Sequence, residues 1–323
     1  GLGVPEVAST LTGRAAFMAT PAEEFIDVEM RWGLREAGRL GLLSGKQEMI
    51  RLGAFDDVDM AMMIHTSSSK VQRRFIVGGT SNAHVVHYVR FLGKAAHAGG
   101  APHLGINALN AATLALSAIH MNRETFRDED TVRVHPIITK GGEAVSAVPA
   151  DVRMESFVRG RTLEAIADAD RKVDRALRAG AMAVGARVRI QTIPGYLPLT
   201  QDGNMAQVFE QNAESLVGRE NVGHVQHRTG STDMGDISQI MPAIHPYTGG
   251  ASGMGHGTDY MIRDYEQAVV RPAKAMAMSV IDLLADGAGK AKEVLARSRP
   301  RMTREQYLHL QGERMTVEVY EGK

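Results

Sequence analysis

Apolar and polar positions along this chain follow two rhythms, and the points where one gives way to the other outline the fold. The segment HVVHYVRFLG reads as a buried strand, and Asn107 to Met121, NALNAATLALSAIHM, reads as an apolar helix. TVRVHPIITKG and DVRMESFVRG alternate with a period of two, as paired strands do. TLEAIADADRKVDRALRAGAMAVG has the period of a long amphipathic helix, with Thr162 placed to cap its start. RVRIQTIPGY closes the series as a strand. The order is β-α-β-β-α-β, a ferredoxin-like unit over residues 83–196.

On either side the texture is α/β. GRAAFMAT is predicted to be a strand leading into Pro21. Residues 27–53 read as helical, with Gly53 suited to a C-cap. MAMMIHT reads as a short buried strand ending in a histidine. After residue 196, NMAQVFEQNAESLVG is helical, and VGHVQHRTGSTDMGD is a strand feeding a polar turn. MPAIHPYTGGASGMGHGTDY is a strand and a glycine-rich loop, and RDYEQAVVRPAKAMAMSVIDLLAD is a long helix. MTREQYLHLQGERM, capped by Thr303, is predicted to be a surface helix. The pattern implies two domains: residues 1–82 and 197–323 form the larger one, and 83–196 are inserted into it.

Composition narrows the function classes. The 323 residues are 44% hydrophobic, enough for a large core. The 37 basic and 37 acidic residues cancel to a formal charge of +0, so no electrostatic footprint for nucleic acid or an acidic membrane is visible. Aromatic residues make up 5%, too few for a base-stacking platform. Cysteine is absent, so a transition-metal site in this chain must use His, Asp and Glu. No apolar run is long enough for a bilayer, and a cytoplasmic location is the expectation. The 18 methionines read as core filler.

Candidate chemistry gathers at strand ends, where open α/β sheets bind ligands. Glu23 and Glu24 follow Pro21, His65 closes MAMMIHT, and His256 lies in the glycine-rich loop. Carboxylates with imidazoles suit Zn²⁺, Mn²⁺ or Co²⁺, with one glutamate as ligand and its neighbour as base on a metal-bound water. A Glu-Glu pair also serves as solvated surface, and a strand-end His as a structural hydrogen-bonder. His97, among small residues in GKAAHAGGAPH, is open to close approach by a ligand or another surface. Ser231, in GSTDMGD, sits where backbone amides can hold an anion or simply cap a helix. Arg159, at the end of a strand of the inserted unit, can clamp a carboxylate.

TPAEE, AMMIHT, GKAAHAGGAPHLGINALNAA, GSTDMGDIS and GHGTDY, in this order, resemble the amidohydrolase branch of the co-catalytic metallopeptidases. That branch includes aminoacylases, hippurate hydrolases, carboxypeptidase G-type enzymes and aminobenzoyl-glutamate hydrolases, the last being the nearest likeness. The resemblance implies a catalytic domain with helices on both faces of a mixed sheet, and an inserted lid that mediates homodimerisation. It implies one or two divalent ions, Zn or Mn, held by Glu24, His65 and His256. Glu23 becomes the general acid/base, and His97 the oxyanion stabiliser reaching a partner subunit. Arg159, Ser231 and Asn107 become contacts to a small-molecule substrate carrying a carboxylate. The family places a further histidine motif ahead of PAEE, whereas no histidine precedes His65 here, so the larger domain is expected to be N-terminally incomplete. The expected reaction is hydrolysis of the amide bond of N-acyl or N-aroyl amino acids or small peptides. The alternative is a non-catalytic, dimeric small-molecule-binding relative that has lost the metal centre.

Overall fold

The computed structural model describes residues 7–68 and 74–322. Its most regular part is a five-stranded antiparallel sheet. Strands β5 (Ala83–Leu92), β6 (Arg133–Lys140), β7 (Asp151–Gly160) and β8 (Arg187–Pro194) run in the order β8-β5-β7-β6. Counted within the unit this is 4-1-3-2, the ferredoxin-like arrangement that the sequence predicts. Helix α3 (Ala108–Met121) and helix α4 (Leu163–Val184) cover one face. Thr162 caps α4 as the sequence predicts, accepting from the amide of Ala165, and Asn107 Oδ1 caps α3, accepting from the amides of Leu109 and Asn110. Alternate residues of β5 divide between two cores. Val85, Val89 and Phe91 pack under α3 and α4 with Ala111, Ala115 and Leu177, while Val86 and Tyr88 pack on the opposite face with Phe25, Val28 and Trp32.

The fifth strand comes from the far end of the chain. Strand β16 (Thr316–Tyr320) pairs antiparallel with β8, Thr316 opposite Thr192 and Tyr320 opposite Val188. The segment before it forms a helix, α8 (Arg304–Glu313), with Thr303 as the predicted cap and Gln306 completing a capping box. It is not the surface helix expected. Tyr307 and Gln311 have no exposed surface, and Tyr307 joins Leu42, Ile50, Leu197 and Ile237 in a core of its own.

The rest is built from short strands and helices. Helices α1 (Val28–Glu36) and α2 (Gly45–Arg51) lie within the predicted helical stretch 27–53 but are separated by turns over 37–44, and Gly53 takes the left-handed conformation after α2, at φ 81°. Strands β1 (Ala61–Met62), β2 (His65–Thr66), β3 (Phe75–Val77) and β4 (Thr80–Ser81) precede the inserted unit. After it come β9 (Leu199–Thr200), α5 (Gly203–Val217), β10 (Val222–His224), β11 (His227–Arg228), α6 (Met234–Ile240), β12 (Ala243–Ile244), β13 (Tyr247–Thr248), β14 (Ala251–Ser252), β15 (Met261–Ile262) and α7 (Arg271–Arg297). Pairings β1 with β12, β3 with β10, β4 with β11 and β2 with β13 are parallel, while β3 with β13 and β4 with β9 are antiparallel. These pairings form separate small sheets, of which β10-β3-β13-β2 and β11-β4-β9 are mixed. Helix α7 runs past the predicted end at Asp286, broken at 285–288, where Asp286, Gly287 and Ala288 have positive φ.

GRAAFMAT does not form a strand. Among the described residues no strand pairs with 13–20, and Phe17 is 80% exposed. An apolar run becomes a buried strand only where neighbours supply both ladder partners and cover. No helix among the described residues is long and apolar enough to cross a membrane.

Candidate active site

Glu23 is held by its backbone. Ala22, at φ 53°, bends the chain just before the glutamate pair. The Ala22 carbonyl accepts from the amide of Gly45, and the Glu23 carbonyl accepts from the Tyr196 hydroxyl. The close crossing requires glycine at 45, since a Cβ there would stand 1.8 Å from the Pro21 carbonyl oxygen. The bend separates the two carboxylates as the sequence suggests: Glu23 is half-buried and Glu24 exposed.

Beneath Glu23 lies an ion pair. Lys46 Nζ, from α2, stands 2.6 Å from Asp233 Oδ1, at the start of α6, and both side chains are buried. Asp233 Oδ2 is buried without a hydrogen-bond partner. Burial pushes the Glu23 carboxyl up to about 7; Asp233 and Glu24 add to the push and Lys46 opposes it. Burial, then the charges of Glu23 and Asp233, also pushes the Tyr196 phenol well up, so it stays a hydrogen-bond donor.

His65 is exposed on β2, its Nδ1 2.6 Å from the Thr66 carbonyl oxygen. Its ring centroid lies 6.2 Å from that of His245 and 5.5 Å from that of Tyr247. His245 is buried with neither ring nitrogen hydrogen-bonded, and burial, helped by His65, Lys46 and Arg228, pushes it down to about 3. It is therefore a neutral imidazole at pH 7. Arg228 stacks on Tyr247 at 3.8 Å. The Tyr247 phenol is raised by burial, offset by Arg228 and reinforced by Glu23, which places all three in one electrostatic neighbourhood.

The inserted unit contributes from above. Arg159, on β7, lies over the Phe157 ring at 5.3 Å; burial lowers its pKa and the Glu24 carboxylate partly restores it. Arg159 and Glu24 are therefore close enough to interact electrostatically. The Ser231 hydroxyl is buried and unpartnered. Asn107 Oδ1 is engaged in capping α3. His97 is exposed, and its Nδ1 accepts from the amides of Gly99 and Gly100 at 3.2 and 2.9 Å. In the neutral ring the proton then sits on Nε2, which points a donor outward.

The structure thus brings together Glu23, Glu24, Arg159 and His65 with groups that the sequence reading passed over: Lys46, Asp233, His245, Arg228 and Tyr247. His245 ends the apolar run MPAI as His65 ends MAMMI, so the same strand-end signal could have found it. Lys46 gave no such signal, because a lysine early in a helix is ordinary surface chemistry. His256 stands apart, exposed at φ 60° in the loop between β14 and β15. Among the described residues, Glu24, His65 and His256 do not converge within ligand reach of one another. The donor types around Glu23 suit a zinc- or manganese-type ion, imidazoles at His65 and His245 and carboxylates at Glu23, Glu24 and Asp233, and buried atoms of His245 and Asp233 are left unpartnered, but among the described residues no three of these donors lie within ligand reach of one another.

A mixed α/β body with a carboxylate–imidazole site, carrying a ferredoxin-like insertion, defines a metallopeptidase-type hydrolase fold. Residues 78–183 match the peptidase dimerisation domain of the M20 family. The chain is a homologue of the M20 peptidases and amidohydrolases and fits their aminobenzoyl-glutamate-like branch. It is 30% identical over 249 residues to the Xaa-Arg dipeptidase of Mus musculus, covering 74% of this chain and 56% of that protein. Over 239 residues it is 25% identical to the indole-3-acetyl-aspartic acid hydrolase of Enterobacter agglomerans, covering 73% of this chain and 53% of that protein. An aminobenzoyl-glutamate utilization protein from Klebsiella pneumoniae superposes with a TM-score of 0.62 at 20% identity, over 87% of this chain and 64% of that one. A dinuclear metal-binding peptidase of the M20 family from Bacillus subtilis does so with a TM-score of 0.58 at 17% identity, over 87% and 68%. The chain spans little more than half the length of the dipeptidases it matches.

Proposed function

We propose that the protein acts as a metal-dependent hydrolase of amide bonds in N-acyl or N-aroyl amino acids, or in small peptides with a free carboxylate. The observation that carries this reading is the raised carboxyl of Glu23, pushed up to about 7 by burial beside Asp233 and Glu24. A group titrating there can take a proton and return it near neutral pH. Glu24, His65 and His256 are the proposed holders of one or two ions, Zn or Mn. When bound, such an ion lowers the pKa of a water and polarises a carbonyl. Glu23 accepts the proton of the attacking water and passes it to the leaving amine. Arg159, with Ser231 and Asn107 as further contacts, orients the substrate carboxylate. His97, with its outward Nε2–H, donates to the developing oxyanion across a homodimer formed through the dimerisation domain.

Glu23→Gln removes the base and keeps the shape. It should abolish hydrolysis of p-aminobenzoyl-glutamate and of N-acyl amino acids while metal content, read by plasma mass spectrometry, stays the same. Retained turnover would remove Glu23 from the mechanism. Mixing Glu23→Gln with His97→Ala chains tests the dimer: activity regained only on mixing supports His97 acting between subunits.

One observation favours a second reading, a dimeric binding protein without a metal centre. The Lys46 ammonium already neutralises Asp233, and the three proposed ligands stand apart. A chain that binds the carboxylate ligand but takes up no metal at Glu24, His65 and His256 would establish it.

A further inference from the structure

We propose that the dimerisation domain holds a divalent transition-metal ion of its own, bound by His87, Asp170 and Asp174. His87 is on β5, opposite Ser156 of β7 and Thr192 of β8, and is fully buried in the sheet face under α4. Asp170 and Asp174 lie one turn apart on α4, so both carboxylates hang over the same imidazole. His87 Nε2 is 2.9 Å from Asp170 Oδ1 and 3.5 Å from Asp174 Oδ1. All three atoms are buried, and none has a hydrogen bond of acceptable geometry.

A protonated histidine does not resolve this arrangement. One Nε2–H can satisfy one carboxylate oxygen, which leaves the other buried without a donor. The neighbouring cations are committed elsewhere: Arg178 pairs with Glu318 through both carboxylate oxygens, and Lys172 with Asp168 and the Thr125 carbonyl. The two carboxylates therefore have His87 as their one close cation, with Arg178 acting on Asp174 only at a distance. A single dication accepts a lone pair from all three atoms at once and balances the charge. One imidazole and two carboxylates select Zn²⁺, Mn²⁺ or Co²⁺ over Ca²⁺ or Mg²⁺. The Asp170 and Asp174 side chains keep 22% and 21% of their surface open, which gives the ion an entry path and leaves a position for water. The ion would fasten α4 to the middle of the sheet. This cluster lies under α4, apart from the groups around Glu23, and the proposal does not depend on catalysis there.

The test uses the full chain, stripped with chelator and titrated with Zn²⁺ alone. A Glu24→Gln/His65→Ala/His256→Ala background removes the proposed catalytic ions. In that background we expect one Zn²⁺ per chain and a zinc-dependent rise in the thermal midpoint. Asp174→Asn, which keeps the side chain's size and removes its charge, should weaken binding at least tenfold and remove the rise. His87→Gln should do the same. Substituting Co²⁺ should give visible d–d absorption that Asp174→Asn abolishes. Equal zinc content and equal thermal shifts with and without Asp174→Asn would overturn the site, whatever the outcome at Glu23.

Discussion

At the scale of single residues, the candidate site is governed by uncompensated burial. Glu23 in the metal-free chain should titrate near 7, which carboxyl-carbon NMR can read; a midpoint at the ordinary 4.5 would show that neither burial nor the charges of Asp233 and Glu24 act on it. Lys46→Met should move that midpoint higher, because Lys46 is the charge that opposes the rise. The same substitution strands Asp233 as a buried, unpaired carboxylate, expected to cost about 3–5 kcal/mol of stability. Adding Asp233→Asn should recover most of the loss, since the buried charge is then gone, and urea unfolding of the single and double variants measures it. Sequence made some of this legible. PAEE and the strand-end histidines announce chemistry because two carboxylates, or an imidazole after an apolar run, are unusual there. Lys46 and Asp233 lie 187 residues apart and become a pair only through the fold.

At the scale of elements, short helices position the site and small contacts position the helices. Gly45→Ala would drive a Cβ into the Pro21 carbonyl. It should displace the Glu23 turn and lower turnover far more than it weakens binding of a carboxylate ligand. Helix α8 is tied to α6 through Asp236, whose Oδ1 accepts from the Tyr307 hydroxyl at 3.0 Å and from Gln311 Nε2 at 3.1 Å. Burial pushes Asp236 up to about 8, against an ordinary 3.8, despite the Tyr307 hydrogen bond and the Arg314 charge. Between those values the folded chain keeps a proton that the unfolded chain has released. This group's contribution to stability is therefore full below about pH 4 and is lost as pH rises to about 8, at up to about 1.4 kcal/mol per pH unit. Asp236→Asn, which mimics the protonated acid, should remove that part of the slope in denaturation measured from pH 4 to 8. The role of α8 was hidden from the sequence because REQYLHLQGE carries no apolar stripe; its burial comes from one tyrosine and one glutamine engaged by a distant carboxyl.

At the scale of the whole molecule, the ferredoxin-like unit was readable element by element, since β6, β7 and the two helices bury one face and carry clean periods, while β5, buried on both faces, reads as a near-continuous apolar run. The larger body was less legible. Its strands are short, and GRAAFMAT shows that apolar character alone does not make a strand where nothing pairs with it. The pairing of β16 with β8 was invisible because TVEVY, with Val317 and Val319 about half exposed, alternates weakly. Deleting residues 315–323 should expose the β8 edge. Amide exchange should then quicken along Arg187–Pro194 first, with little change at β7 in the middle of the sheet, and the chain should become prone to aggregate.

Strand β16 also sets a schedule for synthesis. The four strands from β5 to β8 can assemble once residue 194 has left the ribosome, but the strand that closes their edge lies about 120 residues later. At roughly 5–20 residues per second, the nascent sheet presents an open ladder for about 6–25 s. During that interval β8 can be satisfied by any extended segment nearby, including the same strand of a neighbouring nascent chain, so the rate of translation through residues 195–320 should bear on how much protein reaches the native state.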